Sequence, residues 1–237
     1  MSAATPDTWS EAHARAEICR VGRSLFERGY VHATAGNISV RVPAAHGGGF
    51  LITPTDACLG FLQPERLARL NDALEQVSGD RASKTIALHH AIYAESTVFD
   101  AKTCCVIHTH STHCVALSLR CGGQAELLAP ITPYFVMKVG HVPHIGYQRP
   151  GAPQAAQAVA AAIAQYGQAG TPLRAVMLER LGPCVWHDSP AAAMAVLEEL
   201  EETARLTLLN TPAPAQAPAA LNATAIDDLR QGFAARW

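Results

Sequence analysis

The sequence has no C-x-x-C pair, and its seven cysteines, at positions 19, 58, 104, 105, 114, 121 and 184, are odd in number. That argues against a disulfide framework and for a reducing compartment. It also lacks any excess of charge. Eighteen basic residues stand against 20 acidic ones, for a net charge of −2, and the basic ones are scattered rather than striped, which leaves no footprint for a polyanion. Nor is there an apolar run long enough to span a bilayer, or an apolar stretch within "MSAATPDTWSEAHARAEICR" at the start. The expectation is a soluble cytoplasmic protein that engages neither nucleic acid nor membrane. What the chain does have is 49% hydrophobic residues over 237 positions, enough for one good core or at most two small ones.

Along the chain, Thr8 with Glu11 fits a capping box ahead of a helical pattern that runs through Leu25 and Phe26 and stops at Gly29. "ATAGNISVRV" and "GGGFLITPT" read as two short strands joined by a glycine-rich turn. "PERLARL", from Pro64, has helical spacing. Ser83 can cap "KTIALHHAIYAES", and "TCCVIHTH" has the pattern of a buried strand with a polar end. Ser111 can cap the short helix "THCVALSLR". Prolines among apolar runs in "APITPYFVMKVGHVPHIGY" suggest strands bent around a site. "PQAAQAVAAAIAQYGQAG" is a helix, and "LRAVMLERLGPCVWHD" a hairpin with its turn at "LGP". Ser189 and Pro190 supply the N-cap and first position of a long helix through Leu209. "TPAPAQAPAA" is a linker, and "ATAIDDLRQGFAARW" a last amphipathic helix. The spacing predicts one α/β domain over residues 1–210, with residues 211–237 as linker and appended helix, a lid or an interface element.

The densest chemistry lies in "VIHTHSTHC", residues 106–114. Alternate residues of a strand face one side, so His108 and His110, roughly 7 Å apart at Cα, present both rings to one volume and can share an ion. A bare H-x-H also describes two hydrogen-bonded histidines at a strand end. His113 falls on the following helix and points elsewhere. "ASKT", residues 82–85, stands at a helix start, where free N–H groups, the Ser83 hydroxyl and the Lys84 charge suit a phosphate. An ordinary cap with a solvated lysine fits the same residues. "TAGN" (34–37) and "TPT" (53–55) add hydroxyls, an amide and glycine in turns. His89 and His90 read as core or interface residues, and the cysteines of "TCCVI" as packing groups.

Taken in order, "TAGNIS", "LITPT", "SK" ahead of a helix with "AIY", "HTHS" and "VP…Y" resemble the class II aldolase family, which includes fuculose-phosphate aldolase, ribulose-phosphate 4-epimerase and the adducin head. The match runs from about residue 10 to 210. The resemblance implies an α/β/α sandwich with a mostly antiparallel central sheet, commonly assembled as a four-fold homotetramer. It implies a divalent metal, zinc above all, and a phosphorylated sugar-like substrate. Carried over by position, Gly36, Asn37, Thr55, Ser83 and Lys84 form the phosphate cradle, and His108 and His110 hold the metal.

Two places depart from the family pattern. Thr85 stands where its aldolases carry a glutamate that binds metal and moves a proton, and Leu181 stands where a third metal histidine precedes glycine. His141 is the favoured replacement ligand, with His144 and Glu179 as the other candidates. Asp56, where relatives often have glycine, is expected to turn away from the cradle.

Retro-aldol cleavage needs a base to take a hydroxyl proton, whereas a β-keto acid loses CO2 from a carboxylate that is already ionised. Loss of the glutamate is therefore compatible with decarboxylation, in which a water, or Thr85 through one, returns a proton to carbon and Lys84 holds phosphate or carboxylate. "ASKT…LHHAIY", "CVIHTHSTHCVALS", "ITPYFVMKVG", "YQRPG" and "ERLGP" look like the 3-oxo-tetronate 4-phosphate decarboxylase branch of the family. That likeness implies formation of dihydroxyacetone phosphate and CO2 during catabolism of four-carbon sugar acids. The rival expectations are an aldolase or epimerase on the same scaffold and, from another class, a non-catalytic assembly module like the adducin head.

Overall fold

The computed structural model describes residues 10–120, 124–210 and 222–237, so Thr8, Cys121 and the Pro/Ala linker lie outside the described residues. The strands are β1 (Asn37–Arg41), β2 (Phe50–Ile52), β3 (Ala68–Leu70), β4 (Gln76–Ser78), β5 (Cys105–His108), β6 (His144–Ile145), β7 (Ala175–Leu178) and β8 (Gly182–His187). They form one sheet in the order β4-β3-β2-β1-β5-β8-β7-β6. Every neighbouring pair is antiparallel except β6 with β7. The expected β1–β2 and β7–β8 hairpins are both present.

The helices are α1 (Glu11–Glu27), α2 (Ile86–Phe99), α3 (Thr112–Ser118), α4 (Pro133–Lys138), α5 (Pro153–Gln168), α6 (Pro190–Leu209) and α7 (Ala223–Phe233). Alternation along the strands sends their side chains to two apolar clusters. Ile38, Val40, Cys105, Ile107, Met177 and Val185 pack with residues of α1, α3, α4 and α6. Phe50, Val106, Val176, Cys184 and Trp186 pack with α2 and α5. Helices thus pack on both faces of the sheet, and β5, β7 and β8 send apolar side chains to each, as such burial requires, while β1 turns Asn37 and Ser39 to one of them. No helix among the described residues is long and apolar enough to cross a membrane.

Several sequence expectations need correction. Ser10, whose hydroxyl accepts from His13 N, is the N-cap of α1. Pro64–Arg66 makes only one 3-10 turn, after which the chain becomes β3 instead of continuing as a helix. The apolar residues that suited a helix there are fully buried as a strand paired to β2. The segment expected as bent strands contains α4, started by Thr132, whose hydroxyl accepts from Phe135 N, and by Pro133 at the first turn. Only His144–Ile145 remains strand. The α6 and α7 expectations hold, with Ser189 and Asn222 as capping side chains.

Candidate functional site

The β1–β5 register places Asn37 opposite His108, so these two side chains share a sheet face. That is also the face of Ser39, which meets α2 through His89 and Tyr93. Gly36, at φ 86°, has no room for a side chain, because a Cβ there would stand 2.9 Å from the His108 carbonyl oxygen and 2.8 Å from Val31. The glycine of "TAGN" therefore seats the turn against the end of β5.

His108 ends β5, and His110 lies two residues beyond it, outside the strand; even so, their ring centroids are 5.0 Å apart. His108 is 4% exposed. Its Nδ1 lies 2.9 Å from the Pro183 carbonyl oxygen. A carbonyl only accepts, so Nδ1 carries the proton and Nε2 keeps its lone pair, the form in which imidazole binds a metal. Burial, with His110 close by, pushes the His108 pKa down to about 4. Burial, then the nearby His32, lowers that of His110. Both rings are held neutral at physiological pH and available as ligands.

The loop that carries His110 is pinned from two sides. Gly182 opens β8 at φ 108°, and a Cβ there would lie 2.3 Å from Thr109 O and 3.2 Å from His110 Cα. On the other side, α3 starts immediately after His110. Ser111 occupies its N-cap position without a capping side-chain bond. Instead the buried Glu201 carboxylate of α6 accepts from His113 N at 2.9 Å and from Cys114 N at 3.1 Å. His113 Nδ1 lies 2.8 Å from the same carboxylate, so His113 points away from the pair, as expected.

The cradle residues converge on the same sheet end. Thr53 N donates to Ile38 O, Pro54 bridges Ala82, Thr55 N donates to Arg81 O and Ser83 N donates to Thr53 O. These bonds draw "TPT" and "ASKT" together beside Asn37. Asn37 is 8% exposed, and its Oδ1 has no partner. A buried amide without a partner is costly and suits a polar ligand. Ser83 Oγ and Thr85 Oγ1 lie 2.6 Å apart at the start of α2, where Thr85 is the N-cap and Lys84 is exposed. Thr55 also borders an open hollow of about 380 Å³ lined in part by Arg66 and Arg81. Asp56 (φ 57°) has an exposed side chain and lines the same hollow as Thr55.

One turn along α2 from Thr85, His89 is fully buried, and burial, with a contribution from His108, pushes its pKa down to about 3. Its Nδ1 lies 2.7 Å from Ser39 Oγ. It is the core residue the sequence suggested, packed behind His108.

The replacement ligands do not reach the pair. His141 is a correction. β6 runs parallel to β7 with Ile145 opposite Leu178, and Leu178 pairs with Gly182 at the His108 end. Three residues before β6, His141 therefore lies towards the other end of the sheet. There its Nδ1 is 2.9 Å from Glu126 Oε1, and its ring stacks on Trp237 at 4.2 Å. Glu179 accepts from Tyr147 N, and His144 sits in β6 opposite Met177. Leu181 packs with the apolar cluster of α2 and α5. The tail after the last helix docks at the far end too, through Trp237 and an ion pair of 2.8 Å between Arg236 and Asp100, so this tail does not cover the pair in its own chain. As the side chains lie, no three His, Cys, Asp or Glu among the described residues stand close enough to hold a metal ion. The donor chemistry of His108 and His110 fits a divalent cation.

Sequence reasoning missed His32. Its ring centroid is 6.5 Å from that of His110, nearly edge-on at 78°. The available signal was its place in "YVHATAGN", five residues ahead of Asn37.

Comparisons with known proteins concern the chain as a whole. Residues 16–208 match the description Class II Aldolase and Adducin N-terminal domain. The 3-oxo-tetronate 4-phosphate decarboxylase of Cupriavidus necator is 50% identical over 231 residues, covering 96% of this chain and 99% of that protein. The L-fuculose phosphate aldolase of Methanocaldococcus jannaschii is 31% identical over 195 residues, 82% of this chain and 95% of that one. The crystal structure of YgbL from Escherichia coli superposes with a TM-score of 0.80 at 36% identity, covering 93% of this chain and 99% of that chain. With the match spanning most of its length and the cradle turns meeting the histidine pair at one sheet end, the chain belongs to the class II aldolase and adducin N-terminal domain family.

Proposed function

We propose that this protein is a metal-dependent carboxy-lyase that converts 3-oxo-tetronate 4-phosphate to dihydroxyacetone phosphate and CO2 in the breakdown of four-carbon sugar acids. The observation that carries the reading is the His108–His110 pair, 5.0 Å between rings, beside the Asn37 cradle. The 50% identity to the Cupriavidus necator decarboxylase supports the choice of substrate. The reading includes zinc as the metal, a cytoplasmic homotetramer of three-layer α/β/α sandwiches, and residues 1–210 as the catalytic unit with 211–237 appended.

Cleavage of the C1–C2 bond of this β-keto acid releases CO2 and leaves the bonding electron pair in an enediolate across C2 and C3. The carboxylate is already ionised, so no proton has to be removed first, and Thr85 in place of a glutamate is consistent with that. A divalent cation held by His108 and His110 would supply positive charge opposite the ketone and hydroxyl oxygens. Asn37, Thr55, Ser83 and Lys84 bind the phosphate, assisted by free N–H groups at the start of α2. Gly36 keeps that turn against β5. The Thr85 hydroxyl, linked to Ser83, gives C2 the proton that completes dihydroxyacetone phosphate, directly or through a water, and recovers it from solvent.

Incubating the metal-loaded protein separately with 3-oxo-tetronate 4-phosphate and fuculose 1-phosphate tests the reading. CO2 and dihydroxyacetone phosphate should form from the first alone; fast cleavage of the second with none of the first would make the protein an aldolase. The 31% identity to an archaeal fuculose phosphate aldolase is what favours that second reading. Against it, Thr85 stands where the aldolases of this family are expected to carry the proton-moving glutamate.

A further inference from the structure

The His108–His110 pair offers two ligands, whereas a catalytic zinc site commonly takes three from the protein. The usual completing positions cannot serve here. Leu181 is a hydrocarbon packed into an apolar cluster, and the Thr85 hydroxyl is engaged with Ser83. Glu179, His141 and His144 are held elsewhere by Tyr147, Glu126 and the β6–β7 pairing.

His32 is differently placed. It sits on the turn between α1 and β1, and Ala35 N donates to its carbonyl oxygen at 2.9 Å. The next residue, Ala33, is held at φ 48°, a conformation alanine seldom adopts and one that clusters near functional sites. Val31, on the other side, is buried against the place where Gly36 meets the His108 carbonyl, so the backbone of the turn is fixed at the end of β5. The His32 side chain, by contrast, is exposed and can change rotamer without disturbing the core. Its ring stands 6.5 Å from that of His110, against 5.0 Å between His110 and His108.

We infer that His32 is the protein ligand that completes the metal shell of His108 and His110, in place of the histidine and glutamate that Leu181 and Thr85 displace. The inference rests on the reading that the pair binds a divalent cation, and it names a residue that reading did not require. Because His32 belongs to the α1–β1 turn, this ligand would come from there and not from the β7–β8 hairpin.

The test is titration of metal-free protein with cobalt(II), reading affinity by calorimetry and ligand geometry by the visible absorption of the bound ion. Wild type should bind one ion per chain. His32→Ala should weaken binding at least tenfold, about the least expected even for loss of an outer-shell partner, and should change the spectrum. Leu181→His added to His32→Ala should recover much of the affinity, because it returns an imidazole beside Gly182. If His32→Ala binds with wild-type affinity and spectrum while His108→Ala loses the ion, His32 is no ligand, although the pair is. If His108→Ala also binds like wild type, or wild type binds no ion, the parent reading falls as well.

Discussion

The two ends of the sheet carry similar residues and use them differently. At the far end, His141 is bonded to Glu126, Tyr166 donates to the same carboxylate at 2.6 Å, and Trp237 covers the imidazole. Arg236 pairs with Asp100 beside them. At the His108 end, one imidazole nitrogen is anchored and the other is left with a lone pair, the neighbouring Asn37 amide oxygen is buried without a partner, and among the described residues no metal-holding group of three forms around the two rings. A cluster whose polar groups saturate one another contributes to stability. One held rigid by buried supports but left unsatisfied is prepared for a ligand. The imidazole ring is common to both ends, so the surroundings decide which role it takes.

The strongest way to break that contrast is to remove one histidine from each end. His108→Ala deletes the proposed ligand and leaves the Pro183 carbonyl without its donor. Charge stabilisation by a bound metal is worth several kcal/mol, so CO2 release should fall by about a thousandfold or more. His141→Ala should leave kcat within about threefold of wild type and show its cost in thermal stability. Equal losses of turnover from the two variants would erase the distinction.

Acid sharpens the contrast from the stability side. Burial pushes His89 down to about 3 and His108 down to about 4. In the unfolded chain both take up protons near pH 6.5. Between that pH and their folded values the unfolded state binds more protons, so each ring removes stability as pH falls, by about 1.4 kcal/mol per unit once well below 6.5. Above about 7 their contribution is complete. At the far end, burial raises the Glu126 pKa, but hydrogen bonds from His141 and Tyr166 more than offset this, so its carboxylate yields only below the ordinary range. Denaturant midpoints of metal-free protein should fall steadily from pH 6.5 towards 4, and His89→Gln should flatten the slope by about one proton. An unchanged slope in that variant would show that His89 is not held neutral by its burial.

The near-neutral histidine end was largely legible because its signals are local. "TAGN", "TPT" and "ASKT" are turn and cap chemistry, and a glycine crowded by a carbonyl explains the first. The far end was not. The prolines of "APITPYFVMKVGHVPHIGY" suggest bent strands where Thr132 and Pro133 in fact start α4, and His141 is favoured because the family resemblance sets that segment at the cleft. Spacing shows which face of an element a side chain takes; it does not show which end of a sheet the loop before an edge strand reaches. That depended on β6 being parallel to β7, a long-range pairing. His32 escaped for the same reason. It lies in no periodic element, and only the folded α1–β1 turn brings it to His110. "PERLARL" failed differently, since Leu67 and Leu70 are three apart and satisfy a helical spacing while being buried around a strand.

The smallest expected effect concerns the C-terminal tail, where the sequence left a lid and an interface element both open. Trp237 stacks on His141 at 4.2 Å and meets Phe135 edge-on at 5.9 Å, and a Cβ on Gly140 would stand 2.8 Å from the Arg236 carbonyl oxygen. The tail is therefore fitted to its own chain at the saturated end. Trp237→Ala should cost about 1–2 kcal/mol through lost stacking and burial, a drop of a few degrees in Tm for a chain of this size. Arg236→Ala should cost less, since its ion pair with Asp100 is partly solvated. Neither variant should move kcat by more than about twofold. A tail that closed over a cleft would give the reverse, with turnover collapsing at nearly constant Tm. That outcome would mean that the far end of one chain serves the histidine end of another, so measuring kcat and Tm on the same preparations decides whether the two ends act separately.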